Sequence, residues 1–228
     1  EEIAFLKDAI AVKKHERLNA GRSVYTVESG GKTFLLAVSG IGKVNSAATL
    51  QYILDKYGAD SVINIGTAGG FSGCFEKNAV MLPVAAYQHD YDLGVVGGDG
   101  YKRGGVPNVG DGEFRFDAEL VAALTDVCRG LGYKFGGGIL VSGDQFISDP
   151  IKVDELKRGF GAAACDMEGG ALLQAAALNG FKRLAAVKSI SDGADEYAAK
   201  DFSDITSSKE KIKNIILKYL SKQDNIRG

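Results

Sequence analysis

The chain has 228 residues, 45% of them apolar and 25% charged, with a formal net charge of −2. That length can bury one large core, and the composition is that of a globular domain. The near-neutral balance gives no electrostatic footprint for nucleic acid, and no apolar run approaches the roughly 20 residues of a membrane span.

Strand-like and helix-like segments alternate along the chain. Thr33 to Val38 and Ser61 to Ile65 are short apolar runs that predict strands buried on both faces. Between them Leu50, Ile53, Leu54 and Tyr57 recur at the spacing of one helix face. Asn78 to Ala86 predicts a further strand. Asp117 is a suitable N-cap for a helix whose inner face is Leu120, Leu124, Val127 and Leu131. Gly138 to Val141 predicts a strand, Met167 to Leu178 an Ala-rich helix and Leu184 to Ile190 another strand. Ile212, Ile215, Ile216 and Tyr219 mark the last helix. This alternation predicts a single α/β domain over 1–228 with a central, mixed but largely parallel twisted sheet and helices on both faces. Ligands in such folds sit at the carboxyl ends of strands.

Three local patterns invite other readings. Ser39-Gly40-Ile41-Gly42-Lys43 suggests a phosphate loop, but Ala37 and Val44 stand where that motif needs Gly and Ser or Thr. Gly66-Thr67-Ala68-Gly69-Gly70 lacks the Gly-x-Gly-x-x-Gly spacing of a dinucleotide site. His89-Asp90-Tyr91-Asp92 could be imagined as metal ligands. With only two histidines in the chain, no metal and no cofactor are expected, and His89 is expected to be satisfied by hydrogen bonds. Cys74, Cys128 and Cys165 are scattered, which suits reduced thiols and a cytoplasmic location.

Four segments at strand ends hold residues that an apolar core does not need. They are Ser39 to Lys43, Asn64 to Gly70, Val141-Ser142-Gly143-Asp144-Gln145-Phe146-Ile147, and Asp166-Met167-Glu168-Gly169 followed by Ser189-Ile190-Ser191-Asp192-Gly193-Ala194-Asp195. In this order and spacing they resemble the nucleoside phosphorylase superfamily, most closely the methylthioadenosine/S-adenosylhomocysteine nucleosidases. The resemblance covers essentially the whole chain. It implies a homodimer that binds an adenine nucleoside and cleaves its N-glycosidic bond with water, through an oxocarbenium-like transition state.

Roles follow by resemblance. Asp192 matches the acid that protonates adenine at N7, which requires a pKa raised by burial; by residue type alone it would be a turn or N-cap aspartate. Glu168 matches the carboxylate that grips the ribose diol. Met167 matches the residue on the sugar face, and Phe146 with the Ile147 backbone matches the adenine site. Ile41 and Phe202 match positions near the 5′-substituent. Thr67, Ala68, Gly69 and Lys43 are expected to line the same region, with Ser191 orienting Asp192. Asp166 stands where some of these nucleosidases carry Glu. Glu2 matches the carboxylate that activates the attacking water. The family carries a buried first strand just before this point, so the domain is expected to lack that strand upstream of Glu1.

Three readings stay open. The leading one is hydrolysis of methylthioadenosine and S-adenosylhomocysteine. A second is a relative acting on another purine nucleoside, a futalosine-type hydrolase or a phosphorylase. Asn64 stands where bacterial-type phosphorylases carry an arginine for phosphate, which favours water. The third is a non-catalytic nucleoside-binding or storage protein on the same fold.

Overall fold

The computed structural model describes residue 6 and residues 10–29, 31–97 and 102–224. In chain order these form β1 (Ala11–Arg17), β2 (Ser23–Ser29), β3 (Lys32–Val38), α1 (Lys43–Tyr57), β4 (Val62–Gly70), β5 (Val80–Met81), β6 (Ala85–Gln88) and α2 (Gly94–Gly97). They continue with β7 (Phe114–Arg115), α3 (Ala118–Gly130), β8 (Phe135–Gly136), β9 (Ile139–Ser142), α4 (Pro150–Phe160) and β10 (Ala162–Asp166). The last elements are α5 (Gly169–Leu178), β11 (Leu184–Asp192), α6 (Ala198–Phe202) and α7 (Thr206–Asp224).

The eight-stranded sheet runs β7-β6-β9-β10-β4-β11-β5-β8. Its backbone is the long parallel pair β4–β11, in register from Val62↔Leu184 to Ala68↔Ile190. Parallel pairing also joins β6–β9, β9–β10 and β5–β8, while β10–β4, β11–β5 and β6–β7 are antiparallel. The mixed, helix-flanked sheet expected from the sequence is therefore present. Along β11 successive side chains enter opposite layers, as the strand period demands. Ala185 and Val187 pack with Leu124 and Val127 of α3 and with Ile212 and Ile215 of α7. Ala186 and Ile190 pack with Leu50 of α1 and with Leu172 and Leu173 of α5.

Helix ends follow local chemistry. Asp117 caps α3 by accepting the Leu120 N–H at 2.8 Å. Asp149 caps α4 in the same way, followed by Pro150 in its first turn, and Gly161 ends that helix at φ 64°. These signals for α4 are local and legible in the sequence.

Several expectations are corrected. Asn78 to Ala86 is two short strands, not one, because Pro83 lies between them and cannot donate to a ladder. The Ala-rich helix begins at Gly169 rather than Met167. The run at Thr33 to Val38 is a strand but is not buried on both faces. It belongs to a separate antiparallel sheet, β1-β2-β3, whose first strand is largely exposed. β1, β2 and β10 are additional to the expected strands: β2 carries the β-branched and aromatic run Val24-Tyr25-Thr26-Val27, whereas β1 is mostly charged and β10 reads Ala-Ala-Ala-Cys-Asp, with low strand propensity.

Among the described residues β3 pairs only with β2, and β4 meets β10 only at Gly69 and Gly70. β3 and β4 border one cavity of about 1240 Å³, which reaches from the carboxyl end of β4 down to Ile216, Tyr219 and Leu220 of α7.

Leu124 is fully buried between α3, α7 and β11. Leu124→Ala is expected to lower the unfolding free energy by about 2–5 kcal/mol, read from urea denaturation; a change under about 1 kcal/mol would show that this layer is not tightly packed.

Candidate active site

The carboxyl ends of β3, β4, β9, β10 and β11 converge on the upper part of this cavity. Ile41, Thr67, Ala68, Gly69, Phe146, Ile147, Met167, Glu168, Ser191, Asp192 and Phe202 all line it. Residues nominated one by one from the sequence are thus brought together by the sheet. Glu2 lies outside the described residues.

Asp192 ends β11 and is 3% exposed. Its Oδ2 accepts from Ser191 Oγ at 2.7 Å and its Oδ1 from the Ala194 N–H at 2.9 Å. Burial pushes its pKa above the ordinary carboxylate value; the two hydrogen bonds oppose this, and the charges of Asp201 and Asp195 add to it. Ser191 Oγ also lies 3.3 Å from the Ala68 carbonyl. A hydroxyl has one proton, so with Asp192 protonated Ser191 can accept from the acid and donate to Ala68. Gly69 makes room for this group: a Cβ there would stand 3.0 Å from Asp192 Oδ1 and 3.2 Å from Cys165 Sγ.

Glu168 occupies the N-cap position of α5 without capping it. The helix amides are taken by others: Gly169 N–H donates to Asp166 and Gly170 N–H to Ser142 Oγ. Glu168 instead accepts from the Gly42 N–H at 3.0 Å, and its other oxygen lies 3.9 Å from Lys188 Nζ. Its side chain thus reaches across to the loop between β3 and α1 rather than to its own helix start.

Lys188 is the feature whose role the sequence reading missed. Its ammonium is 2.8 Å from Asp166 Oδ2, and both side chains are 1% exposed. Asp166 also accepts from Ser142 Oγ at 2.5 Å. The available signal was a lysine inside Leu184–Asp192, a strand buried at every position. Such a lysine survives only when countercharged.

The loop between β3 and α1 is held from outside the cavity. Lys43 does not line the cavity, contrary to expectation. Its Nζ donates to Asp90 at 2.7 Å and its N–H to Asp144 Oδ1 at 2.8 Å. Gly42 has φ +97°, and a Cβ there would strike Asp144 Oδ1 at 2.8 Å. Any side chain would push away the carboxylate that holds this loop against the one after β9.

Phe146 and Phe202 stand at the other end, half exposed, with ring centres 5.8 Å apart and edges crossed at 76°. Ile147 is 7% exposed and packs into the small cluster with Phe71 and Val141, so its backbone rather than its side chain is available to a ligand. His89 is 1% exposed, and its Nε2 has no hydrogen-bond partner among the described residues. This corrects the expectation of a satisfied histidine. The ring lies against Gly143, where a Cβ would come within 2.4 Å, and burial lowers its pKa. Among the described residues no group of three or more His, Cys, Asp or Glu is placed to hold a metal.

The chain matches the Phosphorylase superfamily over residues 1–221. It is 32% identical over 206 residues to the 5′-methylthioadenosine/S-adenosylhomocysteine nucleosidase of Exiguobacterium sp., covering 90% of this chain and 86% of that one. The corresponding nucleosidase of Neisseria meningitidis, solved with methylthio-immucillin-A, superposes with a TM-score of 0.88 at 29% identity, covering 97% and 94% of the two chains. Futalosine hydrolase of Helicobacter pylori superposes with a TM-score of 0.88 at 25% identity, covering 97% and 93%. The chain belongs to the phosphorylase superfamily and, within it, to the family of the 5′-methylthioadenosine/S-adenosylhomocysteine nucleosidases.

Proposed function

We propose that this protein hydrolyses the N-glycosidic bond of 5′-methylthioadenosine and S-adenosylhomocysteine and releases adenine. The observation that carries this reading is Asp192, a buried carboxyl whose surroundings favour its proton, on the wall of a cavity that Glu168 also lines. Adenine leaves poorly as an anion. Asp192 gives its proton to N7 as the bond from the anomeric carbon to N9 breaks, and the bond's electron pair stays on the base. Glu168 accepts hydrogen bonds from the two ribose hydroxyls, and its charge favours the cation forming on the sugar. Water then forms the new C–O bond. Its proton goes to a carboxylate, which the family resemblance assigns to Glu2. Phe146 offers a face for the base, and Ile41 and Phe202 make an apolar end for a thioether.

Water rather than phosphate is supported by the charge around Lys188. This ammonium already faces Asp166 and Glu168, so a phosphate dianion placed beside it would meet two carboxylates. Asn64, which supplies no positive charge, lines the cavity on β4. The structural match to futalosine hydrolase makes futalosine the second substrate to assay.

The proposal extends to two further properties of the protein. A homodimer is supported by apolar side chains left in solvent near the site, among them Ile41 and Phe146. A reducing, cytoplasmic setting is supported by the free thiols of Cys74, Cys128 and Cys165; no helix among the described residues is long and apolar enough to cross a membrane.

Adenine release from methylthioadenosine is expected without phosphate, with free methylthioribose as co-product. Asp192→Asn is expected to keep the fold by circular dichroism and lose about 10²–10⁴-fold in kcat; near-normal turnover would remove Asp192 from the mechanism. Because Asp192 acts when protonated and its pKa is raised, kcat should hold at low pH and fall as pH rises through that pKa. A kcat that instead rises across that range would assign Asp192 to a base. Glu168→Gln is expected to cost about 10- to 100-fold in kcat/KM, and a change confined to thermal stability would show that Glu168 does not touch the sugar.

A further inference from the structure

Lys77 lies far from the reacting bond, in the turn between β4 and β5. It nevertheless reaches the helix that carries Phe202. Its Nζ donates to the Asp201 carboxylate at 3.0 Å and to the Asp201 carbonyl at 3.1 Å. One ammonium thus holds both the side chain and the backbone of a single residue, and the next residue is Phe202.

The helix needs such a hold. α6 has five residues, too few to be stable alone. Its N-cap, Tyr197, makes no side-chain cap and is 62% exposed. Ala198, at the start, is fully buried and anchors that end against the body. The other end presents Phe202 to the cavity, edge-on to Phe146. Lys77, in the turn after β4, ties this second end to the body.

We propose that Lys77 is a positioning residue: through Asp201 it holds Phe202 against Phe146 and so sets the apolar wall that selects the substrate's 5′-substituent. This rests on the nucleosidase reading of the cavity. The Lys77 and Asp201 side chains are 37% and 40% exposed. An exposed pair adds little to global stability, so the effect is local to α6. Lys77 touches neither the acid nor the ribose carboxylate; its route to the chemical step is the charge of Asp201, which adds to the raised pKa of Asp192 and acts equally on both substrates.

The test compares wild type, Lys77→Met and Lys77→Arg with two substrates, methylthioadenosine and adenosine, and with trypsin as a probe of α6 at Lys200. Lys77→Met is expected to raise KM for methylthioadenosine about two- to fivefold. It should leave the KM for adenosine, the ratio of the two kcat values and the Tm unchanged, and should speed cleavage after Lys200. Lys77→Arg is expected to restore both the KM and the resistance to trypsin. Equal rises in KM for the two substrates, or faster cleavage with no change in KM, would overturn the selective role. Unchanged cleavage would overturn the latch itself. Absence of adenine release from wild type would instead reject the nucleosidase reading, and the trypsin arm would still decide whether Lys77 holds α6.

Discussion

A lysine ammonium with 1% exposure must meet an opposite charge, and Lys188 meets Asp166 at 2.8 Å. The other elements of the site are arranged around this pair. Asp166 closes β10 and also receives the Gly169 amide, which starts α5. Ser142, at the end of β9, donates to Asp166 and accepts the Gly170 amide. Two strand ends, the middle of β11 and one helix start are thereby tied at one point. Removing one partner would leave a buried charge uncompensated, at a cost of about 3–5 kcal/mol. The pair does more than survive burial. By occupying the helix amides, Asp166 and Ser142 leave the Glu168 carboxylate to turn toward Gly42 and Lys188, on the cavity wall.

Two ionisable groups four positions apart on β11 thus face opposite fates. Lys188 sits between the carboxylates of Asp166 and Glu168. Asp192 sits where burial and the acidic neighbours Asp201 and Asp195 outweigh the hydrogen bonds from Ser191 and Ala194. The first arrangement suits a fixed charge that organises a binding carboxylate. The second suits a proton donor. Separated environments for neighbouring titratable groups are how one site performs acid chemistry near neutral pH.

Much of the fold was legible because it rests on local terms. The inner faces of α1, α3 and α7 repeat at helix spacing, and Asp117 caps its own helix three residues on. The order of the four strand-end segments carried the family. What escaped was structure held by distant partners. β10 is an Ala-rich strand by virtue of β9 and β4 on either side. The charged strand β1 is held by antiparallel pairing with β2, and its Glu16 accepts from Tyr52 and Tyr57 of α1. His89 was expected to be satisfied, and only packing against Gly143 shows its Nε2 without a partner.

The sequence by itself determined the α/β class, the positions of its most periodic helices and the set of residues that could do chemistry, because these depend on residue type and short spacing. Tertiary structure decided which of those residues share a cavity and in what state. Glu168 meets the Gly42 amide across 126 residues of chain. Lys43, expected in the cavity, is drawn outward to Asp90 and Asp144. Asp192 is ordinary by type, and burial raises its pKa. Contact across the sheet and exclusion of water are properties of the folded whole, and no local pattern encodes them.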